Sequence, residues 1–186
     1  MTTPVTITYL QMRSPDELRA APPPRVADVQ LRRAEVPCPA FSRFLYTAVG
    51  GDWYWRDRLG WTQTQWREYL ERPGVHTWLL SVRGTPAGYV ELERQQQDVE
   101  IAYFGLLPEF IGQGLGGWLL SEAIRHAWEM DAPRRVWVHT CTLDGTAALP
   151  NYQARGMTVY REETKLIDDP GQPDGPWPGS NRSAAP

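Results

Sequence analysis

Four glycines, Gly112, Gly114, Gly116 and Gly117, fall at the junction of two differently patterned segments. Upstream, the apolar run 99–107 has the character of a strand. Downstream, Leu115, Leu119, Ala123 and Ala127, with Leu120 and Ile124 alongside, recur at helical spacing. A glycine-rich turn that opens a helix leaves backbone N–H groups without intrahelical partners, at the end where the dipole favours negative charge. A phosphate is the natural ligand there, and glycine lets it approach the main chain closely. The donors come from the backbone of Gly112, Gln113, Gly114, Leu115, Gly116 and Gly117. A P-loop is excluded, because it needs Gly-Lys-Ser/Thr where this chain has Gly116-Gly117-Trp118. The dinucleotide fingerprint is matched literally by Gly112, Gly114 and Gly117, yet residues 108–111 separate it from its strand. The acidic residue due roughly 20 positions later is also missing, since the next strand ends in Val138-His139-Thr140. A nicotinamide oxidoreductase is therefore disfavoured.

Proton chemistry needs carboxylates, and they gather upstream. Hydrophobic alternation puts Val90, Leu92, Ile101 and Tyr103 on one face of a hairpin, pairing Leu92 with Ile101 and Glu93 with Glu100. The opposite face then carries Glu91, Glu93, Glu100, Ala102 and Phe104. Such a face is either a proton acceptor or plain solvated surface. His139 and Cys141, two apart on a strand, share a face without assured hydrogen-bond geometry and receive no role. His76 and His126 read as structural or surface residues.

Strand, Pro108-Glu109, then Gly112-Gln113-Gly114-Leu115-Gly116 opening an amphipathic helix resembles the coenzyme A loop of GNAT-type N-acetyltransferases. The family motif Gln/Arg-x-x-Gly-x-Gly/Ala falls on Ile111, Gly114 and Gly116. Ile111 departs from it, so one polar side chain bracing the loop is absent while the backbone donors stay. Residues 148–157 resemble the family's last helix, Ala-x-x-x-Tyr-x-x-x-Gly-Phe, with Tyr152, Gly156 and Met157 in place of Phe. The resemblance implies acetyl transfer from acetyl-CoA to a primary amine of a small molecule or peptide, by direct attack in a ternary complex. By the same resemblance, Tyr152 protonates the leaving thiolate and a backbone N–H near Leu106 polarises the thioester. The main chain of Leu106 and Leu107 binds pantetheine, and Asn151 hydrogen-bonds the cofactor. Glu100 stands where the histone-acetyltransferase branch has its catalytic glutamate. Other members pass the proton through ordered water, so the base stays open between Glu100, a carboxylate such as Glu91, and a water relay. The alternative is a catalytically silent acyl-CoA-binding module of the same fold, which Tyr152 opposes and Ile111 slightly favours.

In that family the first two helices and their connecting loop roof the acceptor. Here the segment holds Trp53, Tyr54, Trp55, Trp61, Trp66 and Tyr69. Trp66 and Tyr69, three apart on a helix, read as core. Trp53, Tyr54, Trp55 and Trp61 lie in a short polar stretch flanked by glycines, where aromatic faces attract ammonium groups with about 0.5–2 kcal/mol each. With Glu91, Glu93 and Glu100 as an acidic floor, they imply a cationic acceptor with an apolar or aromatic body, such as an arylalkylamine or an amine-bearing peptide end.

The elements that must hold these groups follow from patterning. Strands are expected at 5–12, 26–36, 75–82, 87–93, 98–107, 135–141 and 158–166. A helix starts at Ser14-Pro15-Asp16-Glu17, others occupy 39–49 and 62–70, the phosphate helix runs to about residue 130, and a short helix spans 147–155. The layout along 5–166 matches the GNAT fold: α/β (α+β), a central mixed, mostly antiparallel sheet flanked by helices, with a splayed parallel strand pair. Residues 1–166 form a single domain, and 167–186, rich in proline and glycine, are expected as a disordered tail.

Composition narrows the rest. A net charge of −3 without a basic cluster argues against nucleic acid. Cys38 and Cys141 make no disulfide framework, and three histidines without ligand spacing give no metal site. No stretch has membrane-spanning length and no leader is evident, so a cytoplasmic protein with no membrane partner is expected. The oligomeric state, a homodimer among the options, stays open.

Overall fold

The computed structural model describes residues 2–175. Its elements run β1 (Thr2–Met12), β2 (Val29–Ala34), α1 (Pro39–Gly50), α2 (Gln63–Leu70), β3 (Val75–Val82), β4 (Thr85–Gln95) and β5 (Asp98–Leu106). Then follow α3 (Leu115–Trp128), β6 (Arg135–Cys141), α4 (Ala148–Ala154) and β7 (Thr158–Asp168). One seven-stranded sheet has the order β2-β3-β4-β5-β6-β1-β7. Every pairing is antiparallel except β5 with β6. No helix among the described residues is long and apolar enough to cross a membrane.

The apolar stripe of α3 supplies the main core. Leu115, Leu119, Leu120, Ala123, Ile124 and Ala127 are fully buried against Leu10, Met12, Val90, Leu92, Val99, Ile101, Val136 and Val138 of the sheet. On the opposite face, Leu45 and Val49 of α1 pack on Tyr89, with Tyr103 and Leu107 at the margin. Helix α2 starts where the sequence expects, with the Thr62 hydroxyl accepting from Gln65 N–H (3.2 Å) and the Gln65 side chain accepting from Thr62 N–H (2.8 Å).

Two expectations change, and one strand takes a place that the sequence left open. The helix expected after Ser14 is a single 3-10 turn, Pro15–Glu17, because the chain beyond it is claimed elsewhere. Arg19 N–H donates to Arg155 C=O (3.0 Å) and Ala21 N–H to the Ser121 hydroxyl (2.9 Å), so neither is free to build a helix. The N-terminal strand β1 lies between β6 and β7, with Tyr9 opposite both His139 and Arg161. No local signal announces that placement. Finally, the expected domain boundary at 166 falls inside β7. Residues 169–175 then fold back onto the loop after α1, while 176–186 lie outside the described residues.

The β4–β5 register pairs Leu92 with Ile101 and Glu93 with Glu100, as alternation predicts. It then shifts, since Glu91 faces Tyr103 and Ala102 is an extra residue in β5. This bulge reverses the two residues beyond it. Tyr103 joins Glu91 on the α1 side, and Phe104 turns to the α3 side, with its ring 6.1 Å from that of Tyr152.

Candidate active site

Strands β5 and β6 are paired only from Asp98–Arg135 to Glu100–Trp137. Beyond that point they part, and the bulge at Ala102 is the physical reason, because an extra residue bends its strand and increases its twist. The gap opens into a cavity of about 610 Å³ that runs from the glycine turn, past α4, to the loop after α1.

At one end stands the glycine turn. Gly112 and Gly114 hold φ of +85° and +76°, which only glycine adopts without strain, and a Cβ at either would meet open space. Gly114 caps α3 with no side-chain hydrogen bond, so the first N–H groups of the helix face the opening uncovered. Gly117 is needed for a different reason, since a Cβ there would sit 2.4 Å from the Arg155 guanidinium. The Arg155 Nε is buried without a partner among the described residues. Open donors at a helix start, with an arginine behind them, fit a pyrophosphate-bearing cofactor. Ile111 forms the rim here and is 45% exposed.

Along the cavity wall, Leu107 N–H donates to Ala87 C=O (2.9 Å). Strand alternation then turns the N–H of Leu106 toward the edge that β6 has left, where Leu106 lines the cavity. Leu107 itself is withdrawn. Its N–H belongs to β4, its carbonyl accepts from Phe110 N–H (3.0 Å), and its side chain packs against the cluster of Leu45, Val49 and Tyr89. Asn151 lines the cavity but also donates to Gly116 C=O (3.4 Å), joining α4 to the start of α3. Tyr152 is buried, and its hydroxyl has no hydrogen-bond partner among the described residues. Burial, seconded by the charge of Asp144, pushes this phenol above its ordinary value and keeps it protonated.

At the other end His139 enters the wall. Its Nδ1 lies 3.2 Å from Glu100 Oε1, while Glu100 Oε2 accepts from the Gln95 amide (2.6 Å). Glu100 is 7% exposed and stands behind the cavity wall; the His139 side chain is 48% exposed and forms part of it. The hydrogen bond to Glu100 raises the imidazole pKa against the opposing effect of burial.

The acidic floor and the aromatic roof need correction. Glu91 is 2% exposed and bound to the buried Arg58 (2.7 Å), with the Tyr69 hydroxyl 2.8 Å away. Glu93 is held by Arg72 at 2.5 Å. The guanidinium of Arg58 lies 4.7 Å from the ring centre of Trp61, 4.0 Å from that of Tyr69 and 4.4 Å from that of Tyr103. The cation beside Trp61 is therefore the protein's own, and neither Trp61 nor Glu91 reaches the cavity. Trp53, Tyr54 and Trp55 do line it. So do Asp57, which accepts from Tyr46 (2.6 Å) and Tyr103, and Asp144, which accepts from the Thr140 hydroxyl (2.6 Å).

The sequence matches the Acetyltransferase (GNAT) family over residues 42–157. The chain belongs to this family. Among curated proteins it is 33% identical, over 75 residues, to a Bacillus subtilis (strain 168) protein provisionally named a ribosomal protein bS18-alanine N-acetyltransferase. That match takes in 40% of this chain and 50% of the relative. Among solved structures, the GCN5-related N-acetyltransferases of Kribbella flavida and Sphaerobacter thermophilus superpose with TM-scores of 0.64 and 0.63 at 21% and 17% identity. Each alignment covers 91% of this chain, and 60% and 55% of those chains respectively. The likeness speaks for the fold, and the chain spans little more than half the length of these proteins.

Within this GNAT domain the cavity gathers the predicted Gly112, Gly116, Gly117, Leu106, Asn151, Tyr152, Trp53, Tyr54 and Trp55. Gln113, Gly114 and Leu115 complete the turn beside it. Sequence reading missed His139, Asp57 and Asp144. His139 had a signal, because it and Glu100 lie on strands expected to be neighbours. The two aspartates sit in irregular connections, where no periodicity fixes an orientation.

Proposed function

We propose that the protein transfers the acetyl group of acetyl-CoA to a primary amine, by direct attack in a ternary complex. Bound acetyl-CoA supplies an activated acyl group as a thioester. The N–H groups that open α3 hold its pyrophosphate. The Leu106 N–H donates to the carbonyl oxygen where negative charge develops. His139 presents Nδ1 to Glu100, which leaves Nε2 as the acceptor for the proton of the attacking amine. As the new C–N bond forms and the C–S bond breaks, Tyr152 donates a proton to the departing sulfur. Glu100 acts through His139 and is a positioning residue. The observation that carries this reading is one continuous cavity touching the glycine turn, Leu106, Tyr152 and His139.

Trp53, Tyr54 and Trp55, with the carboxylates of Asp57 and Asp144, favour a cationic acceptor with an apolar body, an arylalkylamine or a peptide amino terminus. The acceptor named for the Bacillus relative, an alanine of a ribosomal protein, falls in the second class. Thiol release from acetyl-CoA in the presence of a mixed amine library tests the reading. Cationic aromatic amines or peptide ends should be consumed ahead of anionic amino acids. Binding of acetyl-CoA without turnover on any amine would leave a silent acyl-CoA module instead.

A further inference from the structure

The loop that carries Trp53, Tyr54 and Trp55 is held unequally on its two sides. From below, Trp55 is seated against Gly50, where a Cβ would come within 2.1 Å of the indole, and its ring packs 4.9 Å from that of Tyr103 and 5.6 Å from that of Tyr46. Trp53 instead reaches across the cavity mouth, its ring 3.2 Å from where a Cβ of Gly145 would lie, on the connection between β6 and α4. Tyr54 stands in the left-handed region at φ +61°, a backbone that non-glycine residues keep only when their surroundings impose it. On the inner side the Trp55 N–H donates to Gly50 C=O (3.3 Å) and closes the turn around Tyr54.

A second restraint comes from outside, after β7. Arg56 forks over residues 170–174, with Nη1 donating to Pro170 C=O (2.6 Å), Nη2 to Gln172 C=O (2.7 Å) and Nε to the Asp174 carboxylate (2.5 Å). The Tyr54 hydroxyl donates to Gly171 C=O (3.1 Å), and Gly175 N–H donates to Gly51 C=O (3.0 Å). The guanidinium also stacks 5.3 Å from the Tyr54 ring centre. Five hydrogen bonds thus join 170–175 to Gly51, Tyr54 and Arg56, and they bracket the three aromatic residues of the cavity wall. A planar guanidinium spans two carbonyls and a carboxylate at once, which a lysine cannot.

We propose that residues 169–175 form a strap, with Arg56 as its buckle, that fixes the wall recognising the acceptor. Arg56 is a positioning residue for acceptor selection. The acceptor part of this inference rests on the N-acetyltransferase reading; the strap itself does not.

The test uses the full chain with Arg56→Met, Arg56→Lys and Asp174→Asn, read by hydrogen exchange and by steady-state kinetics. In Arg56→Met, amides of 51–56 should exchange about tenfold faster while those of β4 and β5 keep their rates, the size expected for losing a charge-assisted fork. Acceptor KM should rise about tenfold with kcat and the acetyl-CoA KM near those of the parent, and Arg56→Lys should recover part of both effects. Unchanged exchange across 51–56 overturns the strap. A KM for acetyl-CoA that rises in step with the acceptor's overturns its role in acceptor selection. If the parent protein acetylates no amine, the functional reading fails, and the exchange data still decide whether the strap exists.

Discussion

The His139 imidazole and the Glu100 carboxylate, on neighbouring parallel strands, meet 3.2 Å apart where those strands part: Glu100 belongs to the last pair, with Trp137, and His139 lies two residues further on. The register sets them there, and the divergence just beyond exposes the histidine to the cavity while the glutamate stays covered. Each strand delivers one half of the pair.

The pH dependence of kcat/KM should therefore show an acid limb above the ordinary imidazole value of about 6.5, because Glu100 raises the pKa of His139. Glu100→Gln removes the group that favours the imidazolium, so the limb should move to lower pH. His139→Gln should abolish the limb and lower kcat by roughly 10²- to 10³-fold. Folding stability carries the matching sign. The pair stabilises the fold below the unfolded imidazole pKa, and that contribution vanishes as pH rises through the higher folded value. Glu100→Gln should thus be more destabilising at pH 5 than at pH 9. A profile of unchanged shape in both variants would return the proton to a water relay.

Gly116→Glu should abolish acetyl-CoA binding without unfolding the protein. A Cβ at this position makes only ordinary contact, 3.7 Å from Leu106, and the backbone needs no positive φ, so the effect is a carboxylate set against the phosphate donors. Calorimetry on a variant with native circular dichroism checks it. Gly114 is a poorer test, since its φ of +76° penalises any side chain.

Tyr152→Phe should lower kcat by about 10²-fold where chemistry limits, with acetyl-CoA affinity nearly unchanged. The buried ring keeps its packing on Phe104, so only the proton is lost. Single-turnover acetylation is the measurement, and a parental rate would reduce Tyr152 to a core residue.

Arg58→Met should be far more damaging to stability than to ligand recognition. Removing the guanidinium takes the counter-charge from the Glu91 carboxylate, 2% exposed, and breaking a buried pair of this kind costs about 3–5 kcal/mol. Urea unfolding reads the loss. The double variant Arg58→Met with Glu91→Leu should recover much of it, because the charge that needed a partner is gone.

Periodicity carried the sequence reading a long way. The stripe of α3, the glycines ahead of it, the Thr62–Gln65 start of α2 and the pairing of Leu92 with Ile101 are all set by neighbours in the chain, so they show in the residues themselves. What escaped depends on distance or on a break in period. A strict two-residue alternation cannot register the extra residue at Ala102, and every face assignment beyond it inverts. Trp61 and Glu91 looked like an open recognition surface because Arg58, which satisfies both, belongs to an irregular stretch with no orientation of its own. Leu107 looked equivalent to Leu106 until the bond to Ala87 showed which one faces the gap. The fold-back of 169–175 rests, apart from the Arg56–Asp174 pair, on main-chain carbonyls, which a sequence does not distinguish.

The position of β1 has a kinetic consequence. Thr2 is opposite Asp168 and Tyr9 is opposite both His139 and Arg161, so β1, the first of the seven strands in chain order, must wait for β6 and β7 to find its partners. The hairpins β3–β4–β5 close over short sequence distances and form a natural early nucleus. The half of the sheet that completes the gap between β5 and β6 comes with the greatest loop-closure entropy and the slowest expected assembly. During synthesis an eleven-residue strand and the unpaired edge of β5 remain uncovered together, the condition under which a chain of this topology is most exposed to pairing with the wrong neighbour.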